Sequence, residues 1–110
     1  MKNNNKRPLI SCVAFVCKNT ESVHDIVKYL EFRYSFCPMW QGKGEWRMQS
    51  SSGQMAWIYE YSTFKTLRSR KYFMIFIEED IFDEAYEKAC CDLWSIDSVI
   101  SRTAPVSFRI

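Results

Sequence analysis

The stretch that most constrains the fold is residues 72–94, YFMIFIEEDIFDEAYEKACCDLW, because its hydrophobic pattern changes once along its length. Residues 72–77 form an unbroken apolar run rich in aromatic and β-branched side chains. Such a run is typical of a strand buried on both faces in the middle of a sheet. From Phe82 onward, apolar residues recur every three or four positions, which indicates an amphipathic helix. The stretch therefore predicts a central strand that leads directly into a helix.

The length and composition favour one globular domain. The chain has 110 residues, of which 47% are hydrophobic and 16% aromatic, so a core can form without disulfides or metal ions. Glycine and proline are scarce, which argues against extensive disorder. We expect a disordered polar tail at residues 1–8 and a single α+β domain at residues 9–110.

Hydrophobic periodicity divides the rest of the chain into further elements. Residues 9–16 predict a first strand that is also buried on both faces. A helix follows, with Asn19 or Thr20 as its N-cap and Pro38 just beyond its end. The segment 37–44, CPMWQGKG, contains Pro and Gly and is predicted to be a loop. The remaining predicted strands are residues 45–49, 54–61 and 106–110.

The strands 45–49 and 54–61 form a predicted hairpin closed by SSSG. Alternation gives each arm one apolar side, and we expect one face of the hairpin to be strongly aromatic and the other mixed. The residues of the aromatic face are Trp46, Met48, Met55, Trp57, Tyr59 and Tyr61. Aromatic residues at this period are more often core than exposed surface, and the sequence leaves both possibilities open for Trp57 and Tyr59.

The predicted element order is β-α-β-β-β-α-β. We expect a mainly antiparallel sheet with two helices on one face, since this arrangement buries the apolar side of every element. The order resembles a ferredoxin-like fold with one strand added in the middle. That topology carries many unrelated functions and suggests none by itself.

The sequence gives no sign of a membrane segment or a prosthetic group. No window of about 18 residues is apolar enough for a transmembrane helix. The five cysteines lack a CxxC pair and the chain has one histidine, so we expect reduced thiols and no metal or other cofactor. These features predict a cytoplasmic location.

Charge is distributed unevenly along the chain. Residues 1–77 contain twelve Lys or Arg against five Asp or Glu, whereas residues 78–97 contain eight acids and only Lys88 as a base. This acidic segment is either an ordinary solvated face or a docking face for a cationic partner. In the second case the partner-binding residues are Glu79, Asp83, Glu84, Glu87, Trp57 and Tyr59.

A basic segment beside the hairpin suggests a second kind of partner. Lys65, Arg68, Arg70 and Lys71 lie within seven residues of one another and follow the aromatic strand. Cations beside exposed aromatic rings can bind single-stranded nucleic acid through phosphate contacts and base stacking. The net charge of +2 is low for a dedicated nucleic-acid binder.

The sequence offers no convincing catalytic set. His24 is the single histidine and lies in the predicted first helix, and no nucleophile is placed beside it by spacing. The carboxylates Glu78, Glu79 and Asp80 end the central strand, where acidic residues also suit the start of a helix. We therefore expect a protein without enzymatic activity.

These observations favour a small cytoplasmic protein-binding module of the inhibitor or immunity-protein type. Its expected partner is a basic protein, such as a toxin or nuclease, that docks on the acidic helix. An alternative is a small RNA or single-stranded DNA binder that uses the basic segment and the hairpin aromatics. A third possibility is a structural homo-oligomer that pairs the edge strand 106–110, and the sequence leaves the oligomeric state open.

Overall fold

The computed structural model describes residues 12–67, 72, 74–89, 99–101 and 108–109. Its first five strands form the main body of one sheet, and three helices and a short 3-10 turn (Glu79–Ile81) accompany them. The strands are β1 (Cys12–Cys17), β2 (Cys37–Gly42), β3 (Glu45–Gln49), β4 (Met55–Glu60), β5 (Met74–Glu78), β6 (Val99–Ser101) and β7 (Phe108–Arg109). The helices are α1 (Thr20–Tyr34), α2 (Tyr61–Phe64) and α3 (Phe82–Lys88).

The sheet is mixed, with the strand order β2-β3-β4-β1-β5-β6. β1 lies between β4 and β5 and is parallel to both. β2, β3 and β4 form an antiparallel meander. The other edge of β5 pairs with two short strands. β6 is parallel to the first half of β5, and β7 is antiparallel to the second half of β5. The α+β class is confirmed, whereas the predicted antiparallel pairing is limited, among the described residues, to the meander and the short β5–β7 pair, and the central strands are parallel.

The helices lie on both faces of the sheet, so the prediction of two helices on one face was wrong. α1 packs Val23, Ile26 and Leu30 against the odd-numbered residues of β1 in one core. The second core lies on the opposite face, where α2 and α3 cover the even-numbered residues of β1. The physical reason lies in the strands themselves. A strand that is apolar on both sides needs cover on both sides, which a one-sided arrangement cannot give.

The predicted element order differs from the observed one at three places. The segment predicted to be a loop contains β2, which adds a strand between α1 and the hairpin. The short helix α2 lies between β4 and β5, and it begins at Tyr61, which the sequence assigned to the end of a strand. β6 is an additional strand after α3. The ferredoxin-like order is therefore confirmed only in part: each predicted helix and strand has a counterpart, but the central strands are parallel.

The register of the β3–β4 hairpin shows that the prediction of a single aromatic face was wrong. Residues 50–54 form the loop, in which Gly53 has a φ of 93° and its N–H donates to the Ser50 carbonyl at 3.0 Å. This loop length places Arg47 opposite Trp57 and Trp46 opposite Ile58. Trp46 therefore lies on the α1 face and Trp57 on the opposite one. Each face of the hairpin carries one tryptophan, where a single aromatic face had been expected.

Both ends of α1 are capped, and the N-cap is Asn19, one of the two residues predicted for it. The Asn19 side chain accepts a hydrogen bond from the Ser22 N–H at 2.9 Å, which satisfies one unpaired donor of the first turn. At the other end Ser35 adopts a left-handed conformation with a φ of 58°. The Ser35 and Phe36 N–H groups both donate to the Leu30 carbonyl, which stops the helix. The buried Phe36 then begins the path into β2.

Some predicted features lie outside the described residues. These are the tail at residues 1–8, the basic residues Arg68, Arg70 and Lys71, and most of the predicted last strand. Within the described part of the chain, no helix has the length and hydropathy needed to cross a membrane.

Candidate functional site

The carboxyl ends of the parallel strands bring polar residues to one edge of the sheet. β1 ends next to Lys18, β4 ends at Glu60 and β5 ends at Glu78. In sheets with parallel strands, ligands commonly bind at this edge because loops from neighbouring strands meet there. The network at this edge was not predicted, because residues 17–22, 60 and 78 converge only once β1 lies between β4 and β5.

Glu78 is the centre of this network. Its side chain is 3% exposed and accepts hydrogen bonds from the Lys18 backbone N–H at 2.9 Å and the Ser22 hydroxyl at 3.0 Å. The Lys18 ammonium lies 3.6 Å from the same carboxylate. Buried carboxylates need such partners because an unpaired charge in the interior is very unfavourable. Glu78 therefore ties the end of β5 to the start of α1.

Lys18 links the buried carboxylate to the surface. Its ammonium donates to Asp80, and this hydrogen bond and the nearby carboxylates raise the pKa of Lys18 above its ordinary value. Thr20 makes the corresponding connection to β4, since its hydroxyl donates to the Glu60 carboxylate. Each carboxylate at this edge of β4 and β5 is thus engaged with a residue near the start of α1, which indicates a structural role for the network.

Chemistry at this edge is limited by burial. Cys17 is fully buried, and burial followed by the charges of Glu78, Glu60 and Asp25 raises the pKa of its thiol. A thiol in such surroundings is a poor nucleophile at neutral pH. Among the described residues, no group of His, Cys, Asp and Glu side chains is arranged to hold a metal ion.

The segment that follows β5 presents an acidic surface. We define the acidic surface as Glu79, Asp80, Asp83, Glu84 and Glu87, all of which are exposed. They occupy the 3-10 turn and the outer side of α3, because Ala85 and Ala89 on its inner side are fully buried against the sheet. The four predicted docking acids, Glu79, Asp83, Glu84 and Glu87, therefore share one exposed region.

An aromatic pair accompanies these carboxylates. Tyr86 is 44% exposed, although the periodicity had placed it among the inward positions of the helix. Its ring stacks on Phe82 with centroids 5.4 Å apart. Position 86 follows Asp83 by one helical turn, so the tyrosine lies beside the acids on the helix surface. The exposed aromatic ring within the acidic region could not be inferred from periodicity alone.

The two predicted aromatic anchors lie apart from the acidic surface. Tyr59 is fully buried, and its hydroxyl is 2.6 Å from that of Tyr72. It is a core residue and cannot contact a partner directly. Trp57 is partly buried beside Tyr59 and Tyr72 on the same face of the sheet. The proposed set of partner-binding residues therefore loses Tyr59, and Trp57 belongs to a different group of side chains.

This other group is a stack of two tryptophans and an arginine, which we call the Trp–Arg stack. The Arg47 guanidinium carbon lies 4.5 Å from the ring centroid of Trp40 and 4.5 Å from that of Trp57. The three residues are cross-strand neighbours in β2, β3 and β4. The sequence concealed this site because Trp40 was assigned to a loop and Arg47 to the opposite hairpin face.

The remaining predicted site residues are dispersed. Lys65 is exposed, and its ammonium lies 5.9 Å from the ring centroid of Tyr61. The other three residues of the predicted basic segment fall outside the described residues. His24 is exposed on α1 and contacts the edge of Trp46, with ring centroids 6.2 Å apart.

The chain matches no protein-family model and no curated protein sequence.

Proposed function

We propose that this protein is a small protein-binding module that docks a basic partner through the acidic surface. The observation that carries the proposal is the exposure of five carboxylates within the nine residues 79–87, of which Asp80 is paired with Lys18. Charges of one sign on one side of a molecule raise the rate of encounter with an oppositely charged partner and orient it. Phosphate-bearing partners would be repelled by the same field.

Phe82 and Tyr86 would supply the apolar part of this interface. Charge pairs at an exposed rim contribute little affinity, whereas aromatic side chains that become buried on binding often contribute most of it. Tyr86 is exposed beside the acids and can pack against an arginine or lysine of the partner. The proposed interface thus has an aromatic centre and a carboxylate rim.

The proposal extends to an inhibitor or immunity role in the cytoplasm. A basic active-site cleft, such as that of a nuclease or toxin, has the charge that this surface would complement. In this role the chain itself needs no catalytic residues, since it acts by covering those of its partner.

Capture of the partner from the native cells tests the proposal. The tagged protein is used as bait after nuclease treatment, and a stoichiometric partner is identified and purified. We expect the triple variant Asp83→Asn, Glu84→Gln, Glu87→Gln to bind this partner at least about tenfold more weakly, mainly through slower association. The wild-type association rate should also fall steeply with salt.

A matched triple variant on α1 controls for net charge. Glu21→Gln, Asp25→Asn and Glu31→Gln remove the same amount of charge from exposed positions on the opposite face of the sheet. This control should retain most of the wild-type association rate. Equal binding by wild type and the α3 variant, with both proteins folded by circular dichroism, would refute docking through the acidic surface.

A further inference from the structure

The Trp–Arg stack is independent of the acidic surface and has a different chemistry. We propose that it is a binding site for single-stranded nucleic acid, in which Arg47 contacts a phosphate and Trp40 stacks on a base. The site lies on the β2–β4 part of the sheet, whereas the acidic surface follows β5. The inference therefore does not depend on the proposed protein partner.

Arg47 is held in place before any ligand binds. Its guanidinium lies between two indole rings, and its Nε donates to the Glu45 carboxylate at 3.0 Å. Glu45 is 8% exposed and so provides a fixed partner. Among the described residues, the two terminal nitrogens of Arg47 have no hydrogen-bond acceptor. A guanidinium with fixed orientation and two available nitrogens suits a phosphate, which it can bind through both.

Trp40 provides an exposed aromatic surface next to this fork. The residue is 48% exposed, and its indole lies against Gly42, where the lack of a side chain leaves room for the ring. Stacking on a tryptophan is favourable for every base, since each base has an aromatic face. A single strand of nucleic acid carries a base and a phosphate in every nucleotide. Trp40 can stack on the base while Arg47 binds a neighbouring phosphate.

Two further cations lie near the contact between the β2–β3 turn and α2. Lys43 and Lys65 are both exposed. The Thr63 hydroxyl donates to the Lys43 carbonyl at 3.4 Å, so the β2–β3 turn and α2 are in contact. Lys65 follows directly after α2 and lies near the ring of Tyr61. Cations that continue along a surface beside aromatic rings can follow a phosphate backbone over several nucleotides.

An acidic peptide would make poorer use of the same residues. A carboxylate could occupy the Arg47 fork, but it would leave the exposed part of the Trp40 indole without an aromatic partner. Glu45 already neutralises part of the Arg47 charge, so charge alone gives weak attraction. The arrangement therefore favours a ligand that combines a planar ring with an anion, and single-stranded nucleic acid repeats this combination.

Fluorescence anisotropy with a labelled mixed-sequence oligonucleotide of about 12 nucleotides tests the site at low salt. Binding should weaken as salt increases, because phosphate contacts release counterions. We expect Trp40→Ala to weaken binding about tenfold, the usual cost of losing one stacked base. Arg47→Lys keeps the charge but removes the fork and should also weaken binding severalfold.

Phe32→Ala is the matched control, because Phe32 is an 84% exposed aromatic residue on α1, outside the stack. It should bind as wild type does. Failure of the wild type to bind at low salt, or equal binding by wild type and folded Trp40→Ala, would overturn the proposal. Poly-glutamate that displaces the labelled strand as well as unlabelled oligonucleotide does would also overturn it and identify an acidic protein as the partner class.

Discussion

The two halves of the sheet differ in how they are buried. The parallel half, β1 and β5 with the adjoining β4, is covered by α1 on one face and by α2 and α3 on the other. The antiparallel half, β2 and β3, packs Met48 under α1 but leaves Trp40 exposed and Arg47 partly exposed on its other face. Strands of the first kind have little access to solvent between the helices, and those of the second kind can present side chains to a ligand.

This difference separates stability from recognition. In the parallel half, charged groups meet beyond the strand ends, where Glu78 and Lys18 join β5 to the start of α1. In the antiparallel half, a charged residue lies in the middle of a strand between aromatic neighbours. Changes in the strands of the parallel half should therefore affect mainly folding, and changes in the Trp–Arg stack should affect mainly binding.

The largest effect should come from truncation of an aromatic residue in the parallel half. Phe15 is 4% exposed and stacks on Phe76 with ring centroids 4.8 Å apart. Phe15→Ala should lower the free energy of unfolding by about 3–5 kcal/mol, because it leaves a cavity in a closed core. Trp40→Ala in the antiparallel half should cost about 1 kcal/mol or less, since the ring is half exposed. Urea denaturation measures both, and similar losses would remove the distinction between the halves.

A smaller effect is expected at the polar edge of the parallel half. Glu78→Gln removes the charge that Lys18 faces and replaces one acceptor oxygen with a donor, so the Ser22 hydroxyl can keep its contact only by accepting a hydrogen bond instead of donating one. We expect a loss of about 1–3 kcal/mol in thermal or urea unfolding. Glu84→Gln on the exposed side of α3 is the control and should change stability by about 0.5 kcal/mol or less. An equally small loss for Glu78→Gln would mean that the network contributes little to folding.

The smallest effect concerns the junction between the halves. Ser35 connects α1 to β2 in the left-handed region, which is unfavourable for a residue with a side chain. Ser35→Gly should raise the free energy of unfolding by about 0.5–1 kcal/mol, because glycine adopts this conformation without steric cost. Ser35→Ala keeps the Cβ and should give no gain. Destabilisation by glycine would show that the serine hydroxyl contributes more than the backbone conformation costs.

The parallel half was largely predictable from sequence. The apolar runs in residues 9–16 and 72–77 correctly indicated β1 and β5, whose described residues contribute to both cores. Asn19, one of the two predicted N-caps, is the N-cap of α1. The hydrophobic pattern did not predict which strands pair with each other. Strand direction depends on connections and packing far along the chain, so β1 could not be placed between β4 and β5 from periodicity.

The antiparallel half was harder to predict. β2 contains Pro38 and Gly42 and buries none of its side chains, so it lacks the alternation that marks a strand. It is a strand because β3 supplies its hydrogen bonds. The hairpin register depends on a five-residue loop, and an error of one residue moves every side chain to the other face. Because residues 37–44 were predicted to be a loop and the hairpin register was wrong, the contact between Trp40 and Arg47 was not predicted.

Pro38 and the register shift in β2 between Pro38 and Trp40 have a consequence for behaviour at high concentration. β2 ends the strand order among the described residues, and an open strand edge can recruit strands from other chains and start aggregation. Proline has no N–H to offer to an incoming strand, and the irregular register interrupts the even row of donors and acceptors that such a strand would need. The irregularities that made β2 hard to recognise as a strand therefore also disfavour aggregation through its open edge.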